Sequence, residues 1–124
     1  MGEAVSAFAM QEIQDRLESH SSFHSGIGEA FRDVFENVDE SLRKRRDIDS
    51  MYSGTTAVVL LLRDDVLYAA NCGDSRAVMG VKGEDGKIIA RDLTVDQNPN
   101  SPEEQKRIEG MGGFVSPPPE PGLR

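Results

Sequence analysis

The sequence predicts an α+β fold in which two helices come first, a set of antiparallel strands follows, and one further helix comes last. Two observations carry this prediction. In the first 50 residues the apolar side chains recur every three or four positions, as on one face of a helix, whereas between residues 55 and 93 they form short runs separated by turn residues. Connections this short allow hairpins but no helical crossovers, so we expect the strands to pair antiparallel.

Two amphipathic helices are predicted, over residues 3–18 and 26–45. The stripe on the first helix consists of Val5, Ala9, Ile13 and Leu17, and the stronger stripe on the second consists of Ile27, Phe31, Val34, Phe35, Val38 and Leu42. Four consecutive cations, residues 43–46, close the second helix, where the carbonyl end of the dipole favours positive charge. A docking or nuclear-import patch is the alternative interpretation of this basic run.

Four strands are predicted, over residues 55–63, 66–72, 76–81 and 87–93. The first strand is apolar on both faces, because Val58, Leu60 and Leu62 alternate with Val59 and Leu61. A half-solvated antiparallel strand would alternate apolar with polar residues. We therefore expect other layers of a larger fold to cover this strand on both sides.

A third helix is predicted over residues 102–111. Ser101 is suited to cap its N-terminus, Pro102 to occupy its first turn, and Glu104 to complete a capping box. A proline-rich tail follows at residues 116–124. We expect it to be an extended or linker segment, with a peptide ligand of the PxxP type as the alternative.

Composition restricts the functional class of the chain. It has 124 residues, 22 acidic against 14 basic, and a net charge of −8, which disfavours binding to nucleic acid through phosphate neutralisation. No apolar run approaches the roughly 20 residues of a membrane-spanning helix. With one cysteine and no secretory pattern, we expect a cytoplasmic or nuclear protein in a reducing compartment.

The segment NCGDSR, residues 71–76, is a Gly- and Asp-containing turn between two predicted strands. A carboxylate such as Asp74 suits Mg²⁺ or Mn²⁺, which prefer oxygen ligands. The structural alternative is that Asp74 accepts backbone hydrogen bonds and pairs with Arg76. A cysteine-dependent phosphatase loop does not fit, because three residues rather than five separate Cys72 from Arg76, and we expect Cys72 to pack as a small apolar residue.

Four motifs in order resemble the middle of one enzyme family. They are SGTTAVV at residues 53–59, LYAANCGDSRAV at 67–78, LTVDQNP at 93–99, and Glu104 with RIE at 107–109 and GGFV at 112–115. Together they resemble the metal-dependent, type 2C serine/threonine protein phosphatases. The resemblance covers the chain and implies part of a four-layer α/β/β/α sandwich, which would cover both faces of the first strand.

The resemblance also implies a chemistry. In this family two Mg²⁺ or Mn²⁺ ions activate a water that attacks the phosphorus of a phosphoserine or phosphothreonine in a phosphoprotein. The motifs that supply the principal ligands are absent from this chain, so no catalytic residue carries over. Asp74 alone matches a metal-associated position, that of a third, weaker ion.

Because of those missing motifs, we expect a partial phosphatase domain, residues 1–124, that is inactive alone. A regulatory or scaffolding module of the same fold is the alternative. We also expect the uncovered sheet face to drive self-association.

Overall fold

The computed structural model describes residues 2–117, which form an α+β arrangement with helices and strands in the predicted order. The elements are α1 (Gly2–Ser19), α2 (Ile27–Lys44), β1 (Ala57–Arg63), β2 (Val66–Cys72), β3 (Val78–Lys82), β4 (Ile88–Asp92) and α3 (Pro102–Gly110). Most of the predicted proline-rich tail, residues 116–124, lies outside the described residues. Within residues 2–117 no helix combines the length and apolarity needed to cross a membrane.

The four strands form two separate antiparallel hairpins, which confirms the predicted direction of pairing. In the first hairpin Leu60 lies opposite Ala69. Its turn consists of Asp64 and Asp65 with φ of 50° and 60°, the conformation of the two-residue turns that match strand twist. In the second hairpin β3 pairs with β4 across a loop at residues 83–87.

The core lies between the two N-terminal helices and one face of the β1–β2 hairpin. The apolar stripes predicted for both helices are buried except for Phe35, which is half-buried. The side chains at the centre of this core are Ala9, Ile13, Leu17, Ile27, Ala30, Phe31, Val34 and Val38. From the hairpin, Val59, Leu61 and Tyr68 pack against the helices. The alternation of a strand therefore directs every second residue of β1 into the core.

Two of the four cations at the end of α2 pair with acidic residues one turn earlier. Arg43 contacts Asp39 at 2.8 Å and Lys44 contacts Glu40 at 2.7 Å. The hydrogen bond from Lys44 lowers the pKa of Glu40 below its ordinary value. These i, i+4 pairs support the structural interpretation of the cluster as a helix terminus.

The other face of the first hairpin is uncovered by any part of residues 2–117. Val58, Leu60 and Leu62 are 37%, 48% and 71% exposed, although they belong to the most apolar strand of the chain. The alternating exposure of β1 shows that the helices cover one face only. The layer expected on the second face is not supplied by the described residues.

The C-terminal half is less well packed than the N-terminal half. All five residues of β4 are exposed, and α3 buries none of its residues. The predicted capping box is wrong, because Ser101 makes no side-chain capping bond. The Glu104 carboxylate accepts a hydrogen bond from Arg107 Nε at 3.0 Å, so it binds forward along the helix and not back to Ser101.

Candidate functional site

The candidate site is the turn from Gly73 to Arg76, which connects β2 with β3. Gly73 has a φ of +111°, a conformation that L-residues rarely adopt. A Cβ atom at this position would lie 2.5 Å from Thr56 Cγ2, so the backbone approaches Thr56 as closely as only glycine allows. Beside this contact, the hydroxyls of Thr56 and Ser75 share a hydrogen bond of 2.7 Å.

The segment that follows β4 holds this turn through backbone and side-chain hydrogen bonds. The Gly73 N–H donates to Gln97 Oε1 at 2.8 Å, and the Gln97 N–H donates back to the Gly73 carbonyl at 2.9 Å. Asn71 Nδ2 donates to the carbonyls of Gly73 and Val95, each at 3.0 Å. We call Asn71, Gly73, Arg76, Asp96 and Gln97 the polar clasp, because together they tie the turn to a segment about 20 residues later.

Arg76 contributes the charged part of the polar clasp. Its Nε and Nη2 donate to the two carboxylate oxygens of Asp96, each at 2.8 Å, and its Nη1 lies 3.5 Å from Asp92. The hydrogen bond to Asp96 raises the pKa of Arg76 and lowers the pKa of Asp96. The predicted pairing of Arg76 with Asp74 is therefore wrong, since this bidentate geometry commits the guanidinium to Asp96.

The charge around Arg76 argues against a phosphate site at this point. A depression of about 360 Å³ beside the clasp is lined by Arg76, Asp92 and Asp96 together with residues 93–95. Two carboxylates here face one guanidinium, so the local charge is negative. An incoming phosphate would have to displace Asp96 and would meet repulsion from Asp92.

Asp74 lies on the outside of the turn that the polar clasp holds. Its side chain is exposed, and within residues 2–117 no hydrogen bond or ion pair reaches its carboxylate. Across the same residues no group of three or more His, Cys, Asp or Glu side chains could hold a metal ion. Within the described residues Asp74 is therefore an exposed carboxylate that belongs to no three-ligand group.

The other residues considered for chemistry do not form a site. Cys72 is exposed, which corrects the prediction that it packs as an apolar residue, and Arg76 beside it is bound to Asp96. His20 is partly buried, with Nε2 at 3.3 Å from Asp33, whereas His24 is exposed. Within residues 2–117 neither histidine belongs to a group of three or more possible metal ligands.

Sequence reasoning missed the partners of the turn. Asp96 and Gln97 belong to the motif quoted for the family resemblance, but nothing in their local pattern shows that they bind residues 73 and 76. The available signal was a polar run directly after the fourth strand, where a hairpin returns the chain towards the start of the third strand. That signal indicates proximity without specifying the donor or the acceptor.

Comparison with known proteins assigns the chain to a family. The sequence profile described as Protein phosphatase 2C matches residues 1–121, nearly the whole chain. The chain belongs to the protein phosphatase 2C family. The Gly73–Arg76 turn and the segment that clasps it are thus parts of a type 2C phosphatase fold, as the motifs had suggested.

Individual relatives agree with this assignment and show that each is much longer. The chain is 44% identical over 98 residues to "Probable protein phosphatase 2C 75" of Oryza sativa subsp. japonica, covering 79% of this chain and 23% of that protein. It is 38% identical over 116 residues to "Protein phosphatase 2C homolog 2" of Schizosaccharomyces pombe, covering 92% and 30%. It is 35% identical over 127 residues to "Protein phosphatase 2C 1" of Paramecium tetraurelia, covering 93% and 41%. The chain therefore spans between about a quarter and two fifths of the length of these curated relatives.

Proposed function

We propose that this chain is a portion of a protein serine/threonine phosphatase that hydrolyses phosphoserine and phosphothreonine in phosphoprotein substrates. The observation that carries the proposal is the family match over residues 1–121, together with relatives that are named as protein phosphatases. The reaction class is hydrolysis of a phosphoric monoester. The chain contributes the helices, the β1–β2 hairpin and the clasped turn, and the remaining polypeptide of the parent protein contributes the principal catalytic groups.

Mg²⁺ or Mn²⁺ is the cofactor we propose for the complete protein. Such ions would acidify a bound water, so that it is ionised near neutral pH. Within residues 2–117 no three-ligand group is present, and Asp74 is the position that the family resemblance associates with a metal ion. The role of this chain's own residues is to hold that carboxylate at the surface of a fixed turn, through the two Gly73–Gln97 hydrogen bonds and the Arg76–Asp96 pair.

The first test is a phosphatase assay on the purified 124-residue chain with a phosphothreonine peptide and millimolar Mn²⁺ or Mg²⁺. We expect phosphate release at the background rate, because one exposed carboxylate does not assemble a two-metal site. Binding of Mn²⁺, followed by the loss of its free-ion electron paramagnetic resonance signal, should likewise be weak. Metal-dependent turnover well above background would contradict the incompleteness of the chain.

The second test uses the parent protein with its full coding sequence. We expect it to be active, and we expect Asp74→Asn to raise the Mn²⁺ concentration needed for half-maximal activity. The matched control is Asp85→Asn, which removes an exposed carboxylate from the β3–β4 loop, outside the polar clasp. Equal metal requirements for the two variants would exclude a metal-associated role for Asp74.

A regulatory or scaffolding module is the second candidate function. The coding sequence on both sides of the chain separates the candidates, because the phosphatase interpretation requires acidic metal-binding motifs there. A full-length parent that lacks those motifs and shows no metal-dependent activity would support the regulatory role.

A further inference from the structure

His20 lies in the connection between α1 and α2, and the proposed activity makes no use of it. This connection consists of residues 20–26. The His20 side chain is 18% exposed, its Nδ1 accepts a hydrogen bond from the Ser22 N–H at 3.0 Å, and its Nε2 lies 3.3 Å from Asp33 Oδ2. The imidazole ring therefore contacts the connection on one side and α2 on the other.

The hydrogen bond from Ser22 determines which nitrogen of the His20 ring carries the proton. A ring nitrogen accepts a hydrogen bond only when it carries no hydrogen, so the neutral ring has its N–H at Nε2, towards Asp33. Protonation would add a hydrogen to Nδ1, which would then face the Ser22 N–H. Because two N–H donors cannot bind each other, the charged ring is incompatible with the present turn.

The electrostatic surroundings of the ring favour the charged form. Asp33 of α2 brings a carboxylate to Nε2, and His20 follows the last residue of α1, where the carbonyl end of the helix dipole favours a cation. Three other charged side chains near the connection have partners of their own: Glu29 accepts from Ser22 Oγ, Arg63 of β1 donates to the Phe23 carbonyl, and Arg16 of α1 binds Glu12 and Ser41. The charge around the ring thus favours a cation that the geometry of the turn excludes.

We propose that His20 is a pH-sensitive latch on the α1–α2 connection, closed while the ring is neutral and open when it is protonated. The charge of a histidine side chain changes between about pH 8 and pH 5, so mild acidification opens the latch. Opening releases the Ser22 N–H and loosens the adjacent Phe23, whose ring is partly buried against the core and whose carbonyl binds Arg63. The buried stripes of α1 and α2 hold the two helices together, so the change remains local to residues 20–26.

The test is an NMR titration of the 124-residue chain between about pH 8 and pH 5. The nitrogen chemical shifts of the His20 ring report its protonation, and transfer of magnetisation from water reports the exchange rate of the Ser22 amide. The protection factor of this amide corrects for the intrinsic pH dependence of exchange. We expect it to fall by about fivefold as the ring becomes charged, because one hydrogen bond of ordinary strength contributes roughly that factor. The Ala30 N–H, which donates to the Gly26 carbonyl at 3.0 Å, is the internal reference and should keep its protection.

Two substitutions of His20 separate the hydrogen-bond acceptor from the charge. An asparagine side chain can accept from the backbone two residues later, so His20→Asn keeps an acceptor for the Ser22 N–H without a group that titrates. The protection of Ser22 should then be high at both ends of the titration. The longer side chain of His20→Gln places its amide near Asp33 instead, so the protection should be low at both ends. The matched control is His24→Asn, which removes the exposed histidine of the same connection and should leave the pH dependence unchanged.

Four outcomes would overturn the proposal. They are a Ser22 protection factor that does not change while the His20 ring becomes charged, a ring that stays neutral throughout the titration, an equal pH dependence in the wild type and in His20→Asn, and loss of the pH dependence in His24→Asn. The wild-type titration decides between the latch and a rigid connection even if a variant fails to fold by circular dichroism. The readout is the exchange of one amide and not phosphate release, so failure of the latch leaves the proposed phosphatase activity untouched.

Discussion

Replacement of Gly73 by alanine tests whether the clasped turn requires a residue without a Cβ atom. Gly73 has a φ of +111°, and a Cβ there would lie 2.5 Å from Thr56 Cγ2 and 2.9 Å from Thr56 Cβ. The variant Gly73→Ala therefore suffers both backbone strain and a steric overlap. Because Gly73 exchanges two hydrogen bonds with Gln97, a shift of the backbone that relieves the overlap also weakens those bonds.

Substitutions at two other glycines separate the effect of backbone strain from the effect of steric overlap. An L-residue in the left-handed region is destabilised by roughly 1 to 2 kcal/mol, and overpacking adds roughly 1 to 3 kcal/mol. We therefore expect Gly73→Ala to lower the free energy of unfolding by about 2 to 5 kcal/mol. Gly112 has a φ of +84° with nothing within 4 Å of its Cβ position, so Gly112→Ala isolates the strain at about 1 to 2 kcal/mol. Gly28 lies in α2 with open space around it, so Gly28→Ala should be stabilising by up to about 1 kcal/mol.

The assay is urea unfolding followed by circular dichroism, at one low protein concentration so that association does not alter the comparison. The double variant Gly73→Ala/Thr56→Ser removes the Cγ2 atom involved in the closest overlap. We expect it to recover part of the loss, with a coupling free energy of at least about 0.5 kcal/mol. If Gly73→Ala were no more destabilising than Gly112→Ala, or if Thr56→Ser gave no recovery, the close approach of the turn to Thr56 would be refuted.

Three further predictions concern the polar clasp, the core and the exposed thiol of Cys72. Arg76→Gln should raise the pKa of Asp96 towards its ordinary value in a carbon-detected NMR titration, and an unchanged titration would contradict the pairing. In the wild type the contribution of this pair to the free energy of unfolding is present above the ordinary carboxyl pKa of about 3.9, and it is lost as the pH falls through the lowered pKa. Phe31 lies in the core, so Phe31→Ala should lower the free energy of unfolding by about 3 to 5 kcal/mol, measured by urea unfolding. Met10 is 69% exposed, so the control Met10→Ala should change this free energy by less than about 0.5 kcal/mol. Similar effects of the two variants would contradict the assigned core. Cys72 should react with a thiol reagent in the folded chain nearly as fast as in urea, and strong protection would contradict its exposure.

The helices and the hairpins were predictable because local periodicity carries their signal. Every residue of the predicted α1 stripe is buried, and of the six predicted for α2 only Phe35 is not fully buried. The apolar pattern of β1 correctly indicated a strand with two apolar faces, and the structure shows one face packed on the helices and one exposed. The pairing of the four strands into two separate hairpins, by contrast, was not predicted, because spacing alone does not determine which hairpins join into one sheet.

Two predictions of hydrogen-bond partners were wrong, and each concerns a side chain with more than one possible partner nearby. The structural interpretation of the turn paired Arg76 with its neighbour Asp74, but Arg76 binds Asp96, which the fold brings within 2.8 Å. Glu104 was expected to complete a capping box, but its carboxylate accepts a hydrogen bond from Arg107, one helical turn later. Each competing partner is compatible with the local sequence, so the outcome depends on small differences in geometry and desolvation that no short pattern encodes.

The amino-acid order alone thus specified the helical stripes, the strand runs, the glycine turn around Asp74 and the motifs of the phosphatase family, because each depends on residues close together in the chain. The three-dimensional arrangement specified the clasp of that turn by Asp96 and Gln97, the exposure of Cys72 and the open edge of β1 beside α1. These features depend on contacts between residues 20 or more positions apart, or on which surfaces the remaining elements leave uncovered. Such contacts form only after the chain has folded, so the free energies that select them are properties of the assembled structure and not of any local segment.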